Sequence, residues 1–227
     1  MTRRRRINKA LTLQQRLEDS RSKQVVFLSH CILNENTRYL GGACRGSCIR
    51  EIVDQCLDKD WGIVQMPCPE QRAWGGITKR WLLIYYGAKD QFVYRFRSLF
   101  LPLFVRYTDL VYRRLAKAVA DQVNDYLRSG FTVVGIVGID GSPSCGVGKT
   151  LALQKSFDLT ASVNIDSFTV DAMNTIIRQC LMDGQGLFTA ILQKELKKRQ
   201  LNVPYVAHDL IGEIDGKASS VVSLLSV

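Results

Sequence analysis

The chain has 227 residues, 46% of them hydrophobic and 23% charged, with a net charge of +10. That length buries one good core and requires no second domain. Seven cysteines are too few for a disulfide scaffold in so long a chain, and an odd number cannot all pair, so reduced thiols in a cytoplasmic protein are expected.

Residues 1–23 open with Arg3, Arg4, Arg5 and Arg6 and contain no apolar core of a secretory signal. They read as a basic arm ahead of an α/β domain over residues 24–227. The positive charge suits an anionic partner, with RNA foremost and tRNA among the candidates. The plainer reading is a solvated surface with a solubilising tail. No apolar stretch approaches a membrane span, so no membrane partner is expected. The longest, residues 99–105, is flanked by Arg97 and Arg106 and broken by Pro102.

Val25–Val26–Phe27–Leu28 is the first of three short apolar runs that read as buried strands of a mostly parallel sheet. It leads to His30 and Cys31. After a polar, glycine-containing loop, residues 45–59 predict a helix with Cys48, Ile49, Ile52, Val53, Cys56 and Leu57 on one stripe. Cys48 and Cys56 therefore read as core residues. The second run, Gly62–Ile63–Val64–Gln65–Met66, leads to Cys68–Pro69–Glu70, and Trp74–Gly75–Gly76 marks a tight loop. Residues 81–107 are rich in Tyr, Phe and Arg without a clean period, as in a pair of short strands and a lid. Residues 109–127 predict an amphipathic helix with Leu110, Val111, Leu115, Val119 and Val123 inward. The third strand, Val133–Val134–Gly135–Ile136–Val137, precedes Ser142–Pro143–Ser144–Cys145–Gly146. Helices over residues 169–182 (Cys180 in the core) and 187–200, then a short strand over 203–207, complete the chain. Alternating strands and helices argue for a Rossmann-like open α/β sheet with helices on both faces.

In such sheets ligands bind outside the carboxyl ends of the strands, where Cys31, Cys68 and Cys145 all fall. Three thiols scattered in sequence and meeting in space do not fit a zinc finger, whose ligands lie two to four residues apart in pairs. They suit an iron–sulfur cluster held through three of its irons, one iron staying open. Gly141 and Gly146 let the backbone wrap a bulky anion, and Pro67, Pro69 and Pro143 stiffen the loops. Glu70, beside an anionic cluster, is expected to have its pKa raised and to move protons. Ser142 is its candidate partner. Read structurally, Glu70 is a loop carboxylate accepting backbone N–H bonds, and Ser142 a hydroxyl stabilising the turn before Pro143. His30 sits beside Cys31 but points to the opposite face if the strand persists. His208 reads as structural or solvent-facing.

Residues 143–150 end in the Gly148–Lys149–Thr150 of a phosphate-binding loop, but Pro143 stands where that loop opens on glycine. A nucleotide-binding enzyme is the third reading. A non-catalytic cluster- or zinc-binding protein that binds RNA is the second.

The combination of His30–Cys31–Ile32–Leu33, Cys68–Pro69–Glu70 with Gly75–Gly76, and Ser142–Pro143–Ser144–Cys145–Gly146 resembles the 2-thiouracil desulfurase family. The match runs over about residues 24–210. The resemblance implies a [4Fe–4S] cluster on Cys31, Cys68 and Cys145, removal of sulfur from a thiolated pyrimidine or thiouridine in RNA, and catalytic roles for Glu70 and Ser142. Gln71 stands where some members carry a further cysteine, and Thr78–Lys79–Arg80 where the usual motif has Pro–Arg.

Overall fold

The computed structural model describes residues 12, 13, 16–85 and 87–217. The arginines at 3 to 6 lie outside the described residues. In chain order the elements are β1 (Gln24–Leu28), α1 (His30–Leu33), a 3₁₀ turn (Glu35–Thr37), α2 (Arg50–Asp58), β2 (Gly62–Gln65), α3 (Pro69–Ala73), α4 (Arg80–Leu83), α5 (Phe92–Arg95) and α6 (Arg97–Arg128). There follow β3 (Thr132–Asp140), β4 (Lys149–Leu151), α7 (Leu153–Ala161), a second 3₁₀ turn (Ile165–Ser167), α8 (Val170–Cys180), β5 (Leu181–Asp183), α9 (Leu187–Lys198), β6 (Tyr205–Asp209) and α10 (Leu210–Ile214).

Four parallel strands form the main sheet in the order β2-β1-β3-β6. The central strands are apolar on both faces: Val25, Phe27, Val133 and Ile136 pack into one cluster, Val26, Leu28, Val134, Val137 and Ile139 into another. Helix α6, together with α9, covers the first face, and α1, α2 and α10 the second. The α/β sheet with helices on both faces is thus present. The chain leaves β1 through α2 to reach β2 on one side, then crosses through α6 to β3 on the other. This makes the gap between β1 and β3 the place where strand order reverses, which in open α/β sheets is the ligand crevice. β4 and β5 form a separate antiparallel pair.

Several elements differ from the sequence expectation. The described residues of 81–107 contain no strand; they include most of α4, α5 and the start of α6, which passes through Pro102 without ending. The aromatics there pack on one another across helices, as Trp81 on Tyr107 and Tyr85 on Phe157. Leu110 does not face inward but is 61% exposed, because α6 turns Tyr112, Ala116, Val119, Ala120 and Val123 to the core. The helix expected from residue 45 begins only at Arg50, since the Arg45 amide donates to the Glu35 carboxylate at 2.9 Å instead. Leu57, expected on the stripe of α2, is exposed. Within the described residues no helix is long and apolar enough to cross a membrane.

Candidate functional site

Each of the three sheet-edge cysteines is delivered by a strand end. Cys31 lies in α1 directly after β1. Cys68 is the residue that begins α3: its Sγ accepts the Gln71 N–H at 3.4 Å, and Pro69 occupies the first helical position, where a missing N–H costs nothing. Cys145 lies in the loop from β3 to β4. All three line one cavity with His30, Glu70 and Ser142, a cleft enclosing about 1080 Å³ when its open mouth is counted. His30 lines the cavity beside Cys31 rather than pointing away, because β1 stops at Leu28 and the chain is already helical at His30. The other thiols lie elsewhere. Cys56 and Cys180 are in the core as expected, Cys44 is exposed, and Cys48, expected in the core, is only half-buried because it precedes α2.

The Cys145 loop is built tightly. Ser142 Oγ accepts the N–H groups of Ser144 and Cys145 at 3.2 and 3.0 Å, and the Cys145 carbonyl accepts the Ile139 N–H at 2.9 Å. A Cβ at Gly138 would stand 2.3 Å from that carbonyl oxygen, and one at Gly146 would stand 2.1 Å from the Lys149 carbonyl. Only glycine fits at either place. Asp140 Oδ1 accepts the amides of Val147, Gly148 and Lys149 at 2.8, 2.9 and 3.1 Å. Those are amides that a phosphate loop would offer to a nucleotide, and Gly148–Lys149–Thr150 runs into a strand, not into the helix such a loop opens. The protein's own carboxylate fills this nest.

Burial pushes the Cys31 thiol up to about 12 and the Cys68 thiol to about 11. The neighbouring sulfur of Cys68 adds to the shift at Cys31. Cys145 is raised by burial, then by Cys31, Cys68 and Glu70. Burial first, and then neighbouring sulfur or the Glu70 carboxylate, disfavours all three thiolates, which positive charge would favour. Arg38 and Lys79 supply part of it, each favouring the Cys31 thiolate.

Glu70 is held at both oxygens. Ser142 Oγ donates to Oε1 across a long 3.4 Å, and Lys79 Nζ lies 3.1 Å from Oε2 while donating to the Thr37 carbonyl at 2.7 Å. Lys79 sits in the left-handed region (φ 51°) as the residue that begins α4, a position few side chains adopt. Against the Cys145 loop, the Tyr112 hydroxyl is 2.7 Å from Ser144 Oγ; burial, and next the Glu70 charge, raise the Tyr112 pKa well above its ordinary value. That hydroxyl stays neutral.

Arg38 also lines the cavity. Its Nη1 pairs with Glu213 at 2.8 Å and Glu35 at 3.3 Å, while its buried Nε and Nη2 have no partner in the protein. Arg45 bonds to Glu35, Glu51 and Glu213, and His208 Nε2 is 2.8 Å from Glu213 Oε2, so His208 is buried and structural, not solvent-facing. Arg38, Lys79 and Tyr112 were not singled out from the sequence. The departure at Thr78–Lys79–Arg80 was the one local signal. Among the described residues, no three His, Cys, Asp or Glu side chains form a group that could hold a single metal ion.

The chain matches no family model and no solved structure. It is 24% identical to an uncharacterized protein of Methanocaldococcus jannaschii over 151 residues, which cover 64% of this chain and 83% of that protein.

Proposed function

We propose that this protein is an iron–sulfur desulfurase that exchanges the sulfur of a thiocarbonyl compound, a thiolated pyrimidine or a thiouridine in RNA, for oxygen from water. The observation that carries the reading is the convergence of Cys31, Cys68 and Cys145 with Glu70 and Ser142 on one cavity at the β1/β3 crevice. The donor set fits a [4Fe–4S] cluster, which would give each cysteine its own iron and leave one iron without a protein ligand. An anionic group among the thiols would also give the orphaned Arg38 nitrogens the acceptors they lack. Bound there, the cluster supplies an iron with a free position for a soft sulfur atom.

The overall exchange, thiocarbonyl plus water to carbonyl plus hydrogen sulfide, transfers no electrons. What remains for the protein is moving protons. Glu70 takes a proton from the incoming water and returns it as sulfur leaves. Lys79 keeps one carboxylate oxygen fixed, so the other faces Ser142. Ser142 holds the Cys145 loop through its accepted amides and uses its hydrogen toward Glu70. A neutral Tyr112 fixes Ser144 behind the same loop.

The test is anaerobic sulfide release from thiolated pyrimidines and thiolated RNA, with iron measured on each variant. Glu70→Gln is expected to retain iron and turn over at least about a hundredfold more slowly, the usual worth of a general acid–base group. Ser142→Ala is expected to retain iron and lose activity. Wild-type rates from Glu70→Gln at full iron loading would remove the carboxylate from the mechanism.

A further inference from the structure

The cavity extends past the polar residues at the sheet edge. A second wall is made by α4, α7 and α8, and it is apolar: Leu82, Leu83, Leu153, Phe157, Met173 and Ile177. Phe157 is fixed by stacking on Tyr85, with ring centroids 5.5 Å apart and planes at 17°. This wall lies between two of the apolar clusters, one containing Leu82 and Phe157 and the other Met173 and Ile177. A bare pyrimidine ring held by the polar residues would leave this wall uncovered. Most of each side chain is already buried, and an apolar substituent seated where they line the cavity would complete that burial.

Charge narrows the ligand further. Among the described residues, the two cations that line the cavity are committed to protein carboxylates: Lys79 to Glu70, and Arg38 through Nη1 to Glu35 and Glu213. The remaining Arg38 nitrogens, buried and without a partner, are those left to the cluster in the reading above. A phosphate entering this cleft would be desolvated with neither Arg38 nor Lys79 free to meet it.

We propose that the site takes a neutral cyclic thioamide or thiourea bearing an alkyl or aryl group, as a free small molecule, and that Leu153, Phe157, Met173 and Ile177 set this preference. The substrate class rests on the desulfurase reading; the apolar subsite is tested apart from it by using oxygen analogues, which have no sulfur to lose. Equilibrium dialysis on the anaerobically purified protein compares uracil, 6-propyluracil and uridine 5′-monophosphate. Burying three further alkyl carbons supports a gain of up to about 50-fold, so 6-propyluracil is expected to bind at least about tenfold more tightly than uracil. The monophosphate is expected to bind more weakly than either. In Leu153→Gln, a mild change at the half-buried first residue of α7, the propyl-to-uracil affinity ratio should fall toward one.

Equal affinities for uracil and its propyl derivative, tighter binding of the monophosphate, or no saturable binding of any probe would each overturn the proposal. Sulfide release from the thio analogues is scored separately. A propyl gain without sulfide keeps the subsite and removes the desulfurase; sulfide from 2-thiouracil without a propyl gain does the reverse.

Discussion

Lys79 shows how one residue joins backbone geometry to chemistry. Its left-handed backbone costs about 1–2 kcal/mol for a side chain with a Cβ, and its ammonium is buried. Both are tolerated because that conformation aims Nζ between the Thr37 carbonyl and the Glu70 carboxylate. Breaking a buried pair from one side is worse than removing it, since the remaining charge has no partner. Lys79→Met should therefore lower stability in urea by about 3 kcal/mol. The Lys79→Met/Glu70→Gln double variant should recover most of that loss. Additive losses in the double variant would show that the two side chains act independently. The same geometry ties down one Glu70 oxygen and turns the other toward Ser142, the arrangement that the proposed proton transfer needs.

At the scale of elements, a buried network pins the cavity's rim to the sheet. Glu35, Arg38, Arg45 and Glu213 join the first 3₁₀ turn and the loop after it to α10, and His208 extends the network onto β6. Burial, then the charges of Arg38 and Arg45, push the His208 pKa from its ordinary 6.5 down to about 4. The folded chain holds this imidazole neutral while the unfolded chain protonates it. Stability should therefore be lost as pH falls from about 6.5 to about 4, by roughly 3 kcal/mol at about 1.4 kcal/mol per pH unit. Urea unfolding across that range should show His208→Gln with a flatter acid limb; an unchanged slope would move the effect to other groups. Nothing in the sequence around His208 announced this role, because its partners come from residues over 150 positions away as well as from the adjacent helix. The cysteine motifs were legible for the opposite reason. β1 and β3 are buried on both faces and so read as unbroken apolar runs whose ends Gly, Pro and Ser mark. Residues 81–107 were not legible as helix because the start of α6 leaves Leu99, Phe100 and Leu103 exposed and only half-buries Leu101 and Phe104, so the apolar residues there do not mark one face. β4 and β5, three residues each, are too short to carry a pattern.

For the whole molecule, the basic balance and the cavity make separate demands. The net charge of +10 favours an anionic partner, yet among the described residues the cations lining the cleft, Arg38 and Lys79, are paired with protein carboxylates. If the arginines at 3 to 6 bind RNA, deleting residues 1–11 should weaken that binding and flatten its dependence on salt, since fewer counterions are released. Turnover of a free thiolated base should stay the same; an unaltered salt slope would leave the segment a solubilising one. The sheet explains why chemistry belongs at one edge only: the neighbouring parallel strands β2 and β1 end level at Gln65 and Leu28, β3 runs on past them to Asp140, and the segment after each carries one of the cysteines. The central claim is that these three cysteines jointly hold one cluster. It is tested most directly by iron and acid-labile sulfide analysis of the anaerobically purified protein and of its cysteine variants. The account predicts about four irons and four sulfides per chain, with loading lost in Cys31→Ala, Cys68→Ala and Cys145→Ala and kept in Cys56→Ala and Cys180→Ala, which should cost only about 1 kcal/mol of packing stability. A colourless protein with one zinc per chain, or equal iron loss in all five variants, would contradict it.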